Sequence, residues 1–169
     1  ELLALAGRLQ DPSLALQAHQ ALGLTALCRG SPAVALEHVE QVVALYHPER
    51  HRAHAFLFGQ DPAVICKAYG GVALWLLGFP EAAARQCEQA IEMSRGLSPN
   101  SQSVAWHFAA MVYQLSGNHA QALKCAEASA VISAEHGYRF WLAGGTIIGG
   151  WALAAGGDVS AGVSRLRQG

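Results

Sequence analysis

Along almost the whole chain apolar residues recur three and four positions apart, and the runs are broken by short stretches carrying Gly, Pro, Asp, Asn or Ser. That spacing predicts amphipathic helices rather than strands. Asp or Ser just ahead of an apolar run, with Pro at the first helical position, marks a helix start: the side chain accepts from an orphan N–H, and proline has none to lose. On these signals residues 1–9 are the tail of an incomplete helix, and Asp11-Pro12 opens a helix to about Arg29. Further helices are predicted from Pro32 to about Tyr46, from Asp61-Pro62 to about Leu77 and from Glu81 to about Gly96. Ser98-Pro99-Asn100-Ser101 opens one to about Ser116, His119 one to about His136, where Gly137 ends it, and Phe140 one to about Ala155, with Asp158 capping a last.

These helices repeat in pairs. Gly30, Gly78, Gly117 and Gly157 stand 48, 39 and 40 residues apart, each between two predicted helices. Seven residues before each comes a small residue (Gly23, Gly71, Ala110, Gly150), and five after it another (Ala35, Ala83, Ala122, Gly162). Nine after come Val39, Cys87, Ala126 and Leu166, and twelve after come Val42, Ala90 and Ser129. Two antiparallel helices approach closely only where side chains are small, so the small residues on either side of the turn are predicted to face each other. The glycine stops the first helix by taking the left-handed conformation. One pair cannot bury its apolar face alone, so successive pairs stack.

This pattern resembles the tetratricopeptide repeat. The matching residues are Leu22-Gly23 with Gly30 and Ala35, Gly71 with Gly78 and Ala83, Trp106 and Ala110 with Gly117 and Ala122, and Gly150 with Gly157 and Gly162. The resemblance covers nearly the whole chain, with a period of about 40 in place of 34 and without the closing proline. It implies an all-α superhelix of about four antiparallel helix pairs with a partial N-terminal helix. The chain is read as one domain over residues 1–169, with repeats at about 11–46, 61–96, 100–136 and 140–169.

Other strings narrow the resemblance. Leu45-Tyr46 through His51, Phe58-Gly59-Gln60-Asp61-Pro62, Leu74-Trp75-Leu76-Leu77-Gly78-Phe79-Pro80 and Gly149-Gly150-Trp151-Ala152-Leu153-Ala154 are together similar to the C-terminal helical-repeat arm of bacterial adenylate-cyclase-like and predicted-ATPase signalling proteins. The likeness implies a regulatory interaction arm. It implies no catalysis here, because the chain holds neither a GxxxxGK[ST] loop nor paired cyclase aspartates. The absence of an initial Met, and an end directly after a helical pattern, lead us to expect a piece of a longer protein.

Composition changes the picture only by exclusion. Hydrophobic residues make up 52% and charged residues 14%, which excludes a disordered tail. A net charge of −1 with scattered Lys and Arg leaves no basic stripe for nucleic acid. Cys28, Cys66, Cys87 and Cys125 form no CxxC pair and are expected to be small core hydrophobes of a cytoplasmic protein. Trp141 to Gly157 is uncharged for seventeen residues, at the lower limit of a membrane span. Its six glycines and its place in the repeat predict a buried helix instead.

The first helices are expected to line the concave face of the stack. That face takes Gln17, Gln20, Leu24 and Leu27; Ile65, Ala68, Val72 and Trp75; Val104, His107, Met111 and Gln114; and Gly144, Ile147 and Trp151. Trp and Met anchors beside Gln and His suit an apolar peptide or helix, supplied by a protein partner or by the same polypeptide. The competing reading makes the same stripe core or a self-association surface; a groove closing over a small apolar ligand is a third. In the irregular loop His47 to His54, His51 and His54 with Glu49 or Asp61 could be metal ligands, but a solvated surface loop is the favoured reading; the resemblance to the signalling arm implies a structural role, with His51 packing back and Asp61 capping the next helix. Gly145 and Gly149 form a GxxxG, read as close helix packing. Glu88/Glu92 and Glu37/Glu40 are read as solvated, and no spacing selects a nucleophile with a base, so the chain is read as a non-enzyme without cofactor or metal.

Overall fold

In a computed structural model that describes every residue except Arg52 and residues 54–56, the repeat register becomes a stack of helix pairs. Among the described residues there are ten helices and no strand. Helix α1 (Leu2–Leu9) comes first, followed by the pairs α2 (Pro12–Cys28) with α3 (Pro32–Leu45) and, after a short α4 (Pro48–His51), α5 (Pro62–Leu76) with α6 (Pro80–Ser94). Then come α7 (Pro99–Leu115) with α8 (His119–His136), and α9 (Arg139–Ala155) with α10 (Val159–Gln168). This is an all-α superhelix of tetratricopeptide-like pairs.

Local chemistry sets the boundaries. Asp11, Asp61, Ser98, Asn118 and Asp158 each accept from a backbone N–H two or three residues on, satisfying donors the helix itself leaves open. At each of the four turns the glycine has positive φ, from 71° at Gly117 to 107° at Gly157. The next residue donates back into the helix just ended, as Phe79 N–H does to the Leu74 carbonyl at 3.0 Å. A β-carbon at Gly78 would meet nothing within 4 Å, so only the backbone conformation demands glycine there. Gly78→Val should therefore lower stability by at least ~1 kcal/mol in urea unfolding, and Gly78→Ala by less, because a β-branched residue fits positive φ worst. Equal stability for all three would show that φ is relaxed in solution.

At the second and fourth turns the small residues on either side face each other, a β-carbon on Gly71 standing 3.1 Å from the Ala83 carbonyl; Gly23, expected to face Ala35, instead has Tyr69 and His38 as its nearest neighbours. A β-carbon on Gly150 would stand 2.9 Å from the Gly162 carbonyl, and one on Gly162 would stand 2.6 Å from the Gly150 carbonyl. Tyr69, fully buried, fills the next gap: its hydroxyl lies against Gly23 of the preceding pair. The core runs along the stack through Leu16, Val42, Val64, Val104, Val112 and Ala126. First helices of successive pairs pack side by side (α2 with α5, α5 with α7, α7 with α9), and each second helix leans on the first helix that follows it. The first helices therefore form the inner layer.

Two expectations need correction. Cys28 is exposed at the end of α2, while the other three thiols are buried; the last turn of a first helix projects past its partner. Residues 48–51, expected to be irregular loop, form a helical turn started by Pro48. The uncharged Trp141–Gly157 stretch is α9 and its turn, with Gly145, Ile148, Gly149, Gly150 and Ala152 buried in the stack. Among the described residues no helix is long and apolar enough to cross a membrane.

Candidate functional site

The inner layer carries the stripe at fixed distances from the turn glycines, and burial divides it. Six before the glycine, Leu24, Met111 and Trp151 are half-buried and Val72 is buried. Three before it, Leu27, Trp75, Gln114 and Ala154 are half-buried. Of these, Leu24, Leu27, Trp75, Met111 and Trp151 rest on the core and keep a solvent-facing edge. Ten before it, Ala68 is wholly buried, His107 is 9% exposed, Gln20 is half-buried and Ile147 is 42% exposed. This row differs because the next first helix covers it: the His107 ring packs against Gly144 and Trp141 of α9. Ile147 lies in the last described pair, with Gly169 at the end of α10 against its side chain. Leu24, Trp75, Met111, Gln114 and Trp151 thus stay partly exposed, whereas Ala68, Val72 and His107, expected on the partner-binding face, are buried in the packing of the stack.

Burial pushes the His107 imidazole down to about 4, and its buried Nδ1 has no hydrogen-bond partner among the described residues. Burial raises the thiols of Cys66 and Cys87 to about 12 and that of Cys125 to about 11. Held as neutral thiols, they are poor nucleophiles.

The loop ahead of α5 is tied down by its polar groups. The Tyr46 hydroxyl donates to Asp61 Oδ2 at 2.6 Å, while Asp61 Oδ1 accepts from Ala63 and Val64 N–H. Asp61 N–H donates to Ser101 Oγ at 2.8 Å, joining two repeats. His51 is buried, and its Nδ1 accepts from His47 N–H at 2.9 Å. His51 and Asp61 thus each have hydrogen-bonded partners within this loop and the start of α5; His54 lies outside the described residues. Asn100 extends the tie, donating to the Gly59 carbonyl and accepting from Trp141 Nε1 at 2.9 Å.

The outer side holds an open groove of about 250 Å³ between α6 and α8, floored by Trp106 and Tyr113 of α7 and edged by Glu88, Glu92, Arg95 and Lys124. The sequence reading missed these two aromatics, although Trp106 and Tyr113 stand seven apart, the spacing of one helix face. Glu88 accepts from the Tyr113 hydroxyl at 3.2 Å and Glu92 pairs with Arg95 at 3.0 Å; Glu37 and Glu40 are also exposed.

No family model and no curated protein matches the chain. Among solved structures it is similar to a Podosopora anserina protein described as a kinesin light chain with nearly identical TPR-like repeats. The TM-score is 0.67 at 23% identity, over 94% of this chain and 74% of that one. A Q17M form of the same protein gives 0.66 at 23% identity, over 93% and 73%. The likeness is to the fold.

Proposed function

We propose that the chain is a protein-interaction module that takes an apolar helix or peptide segment on the inner face of its first helices. The observation that carries this reading is the half-buried row of Leu24, Leu27, Trp75, Met111, Gln114 and Trp151, repeated in register across four first helices. Such residues are already fixed by the core on one side, so covering the other side costs little side-chain entropy, and tryptophan anchors dominate contacts of this kind. The resemblance to the bacterial signalling arm supports a regulatory setting, in which the segment belongs to an ATPase-type or output domain of the same polypeptide.

A displayed library of amphipathic helices, selected against the 169-residue chain, tests the face. Selected binders should lose at least roughly thirtyfold in affinity, about 2 kcal/mol, on Trp75→Ala or Trp151→Ala, and little on Trp106→Ala. The opposite ranking would move the site to the outer groove and overturn the proposal.

A further inference from the structure

Across the first helix pair two histidines face each other. Nδ1 of His19, on α2, lies 3.0 Å from Nδ1 of His38, on α3, with the ring centroids 5.2 Å apart and the rings tilted by 50°. Both residues are half-buried. Gly23 lets α3 come in close here: a β-carbon on it would stand 3.1 Å from the His38 β-carbon and closer still to the Tyr69 hydroxyl. The repeat does not demand imidazoles at these places. Eleven residues before the turn glycine and eight after it, the other pairs carry Lys67 with Gln86, Trp106 with Cys125 and Thr146 with Arg165. Of the four pairs, the first alone carries histidine at both positions.

We propose that His19 and His38 form a binding site for a divalent ion of the zinc class. Neutral imidazole is a ligand such ions favour. Two nitrogens bound at about 2.0–2.1 Å to one tetrahedral ion stand about 3.3–3.4 Å apart, so opening the pair by a few tenths of an ångström from 3.0 Å seats the ion. Without the ion, two neutral rings meeting through Nδ1 hold one proton between those atoms. On binding, that proton leaves Nδ1 for Nε2 of the same ring through solvent; both lone pairs then face the ion and both rings stay neutral. Burial, and after it the facing His38, already hold the His19 pKa below its ordinary value, which spares the ion competition from protons at neutral pH. His38 also lines an open groove of about 290 Å³ along α2 and α3, a path for the ion with room for water beside it. Arg29 lines the same groove but belongs to the turn, whereas His38 lies about two turns into α3. Among the described residues no group of three or more His, Cys, Asp or Glu is placed to hold an ion. The ion is therefore held by two side chains and water, less tightly than a four-ligand structural zinc.

Titrating zinc chloride into the isotope-labelled 169-residue chain at neutral pH tests this, read by the imidazole nitrogen resonances. One ion should bind, and His19 and His38 should both become Nε2–H tautomers with Nδ1 carrying the ion. A hydrogen bond between the rings leaves one of them in the other tautomer, so a structural role alone does not produce that spectrum. A chelator should reverse the change. His19→Ala and His38→Ala should each weaken binding at least roughly tenfold, since even groups behind a ligand are worth that much. His136→Ala, at an exposed ring in the last turn of α8, should leave it unchanged. His38→Gln repeats the experiment if His38→Ala loses helicity, and the parent spectra need no variant to fold. Unchanged resonances of both rings at millimolar zinc overturn the proposal and leave the pair as a hydrogen bond. Binding that survives both substitutions also overturns it, because the ion then sits on other histidines.

Discussion

Replacing Gly145 with valine is expected to lower stability by about 3 kcal/mol, at the upper end of what overpacking costs. Gly145 sits where α9 crosses α8. A β-carbon there would stand 2.8 Å from the Ala126 carbonyl oxygen, 3.2 Å from the Ala130 β-carbon and 3.3 Å from the Ala130 nitrogen. Two of these three are backbone atoms of a helix that is itself packed on α7, so no rotamer change relieves the clash. The helices must separate, and the van der Waals contact along the seam is lost with them. Gly145→Ala should cost less and in the same direction. Gly7 is the control: it lies within α1, a β-carbon there would meet nothing within 4 Å, and Gly7→Ala should be neutral or stabilising by up to about 1 kcal/mol, since alanine is the better helix former. The shift in urea midpoint at constant slope measures all three. A midpoint for Gly145→Val within error of the parent would mean that the α8–α9 seam is looser than drawn.

The same comparison shows why the helix pairs were legible in the sequence. A turn glycine, the small residues seven before and five after it, and a capping Asp, Ser or Asn are all local requirements, and each leaves its own residue type behind. Gly145 and Gly149 were likewise legible as packing glycines; the structure divides them, Gly145 against α8 and Gly149 beneath the Arg165 guanidinium of α10. The inner face was only half legible. Spacing assigns Gln20, Ala68, His107 and Ile147 to one row, but whether that row meets solvent depends on how far each pair rotates against the next. No single-helix pattern records that angle. The result is a buried Ala68, a His107 pressed against Gly144, and an Ile147 that stays 42% exposed. Ser103 bonds to Ser129 and Ser133 between α7 and α8, wholly buried. Nothing in the sequence marks this cluster, because serine in a helix is usually solvated. The aromatic floor of the outer groove is hidden differently: Trp106 belongs to the repeat pattern, and that pattern does not distinguish a residue that packs between helices from one that lines a surface groove.

His107 is where that buried row has its largest consequence, because it should make the fold acid-sensitive. The ring lies edge-on to Phe108, 5.7 Å between centroids, and 5.1 Å from Trp141. A cation placed there loses its water and gains no anionic partner to offset the loss, which is why burial holds its pKa near 4, below the ordinary 6.5. The folded value is the lower of the two, so the unfolded chain takes up the proton first as pH falls. The stabilising contribution is complete above about 6.5 and is lost progressively toward 4. The full interval corresponds to about 3 kcal/mol, of which about 2 should be gone by pH 4.5. His107→Leu keeps an apolar group of similar size against Gly144 but carries no proton, so its stability should follow the parent at pH 7 and exceed it by that amount at pH 4.5. Urea unfolding at the two pH values, parent against variant, isolates the contribution of this one ring from those of the other histidines. Parallel losses in the two proteins would mean that water reaches the imidazole and that α9 does not close over α7 as tightly as the packing of Gly144 on His107 requires.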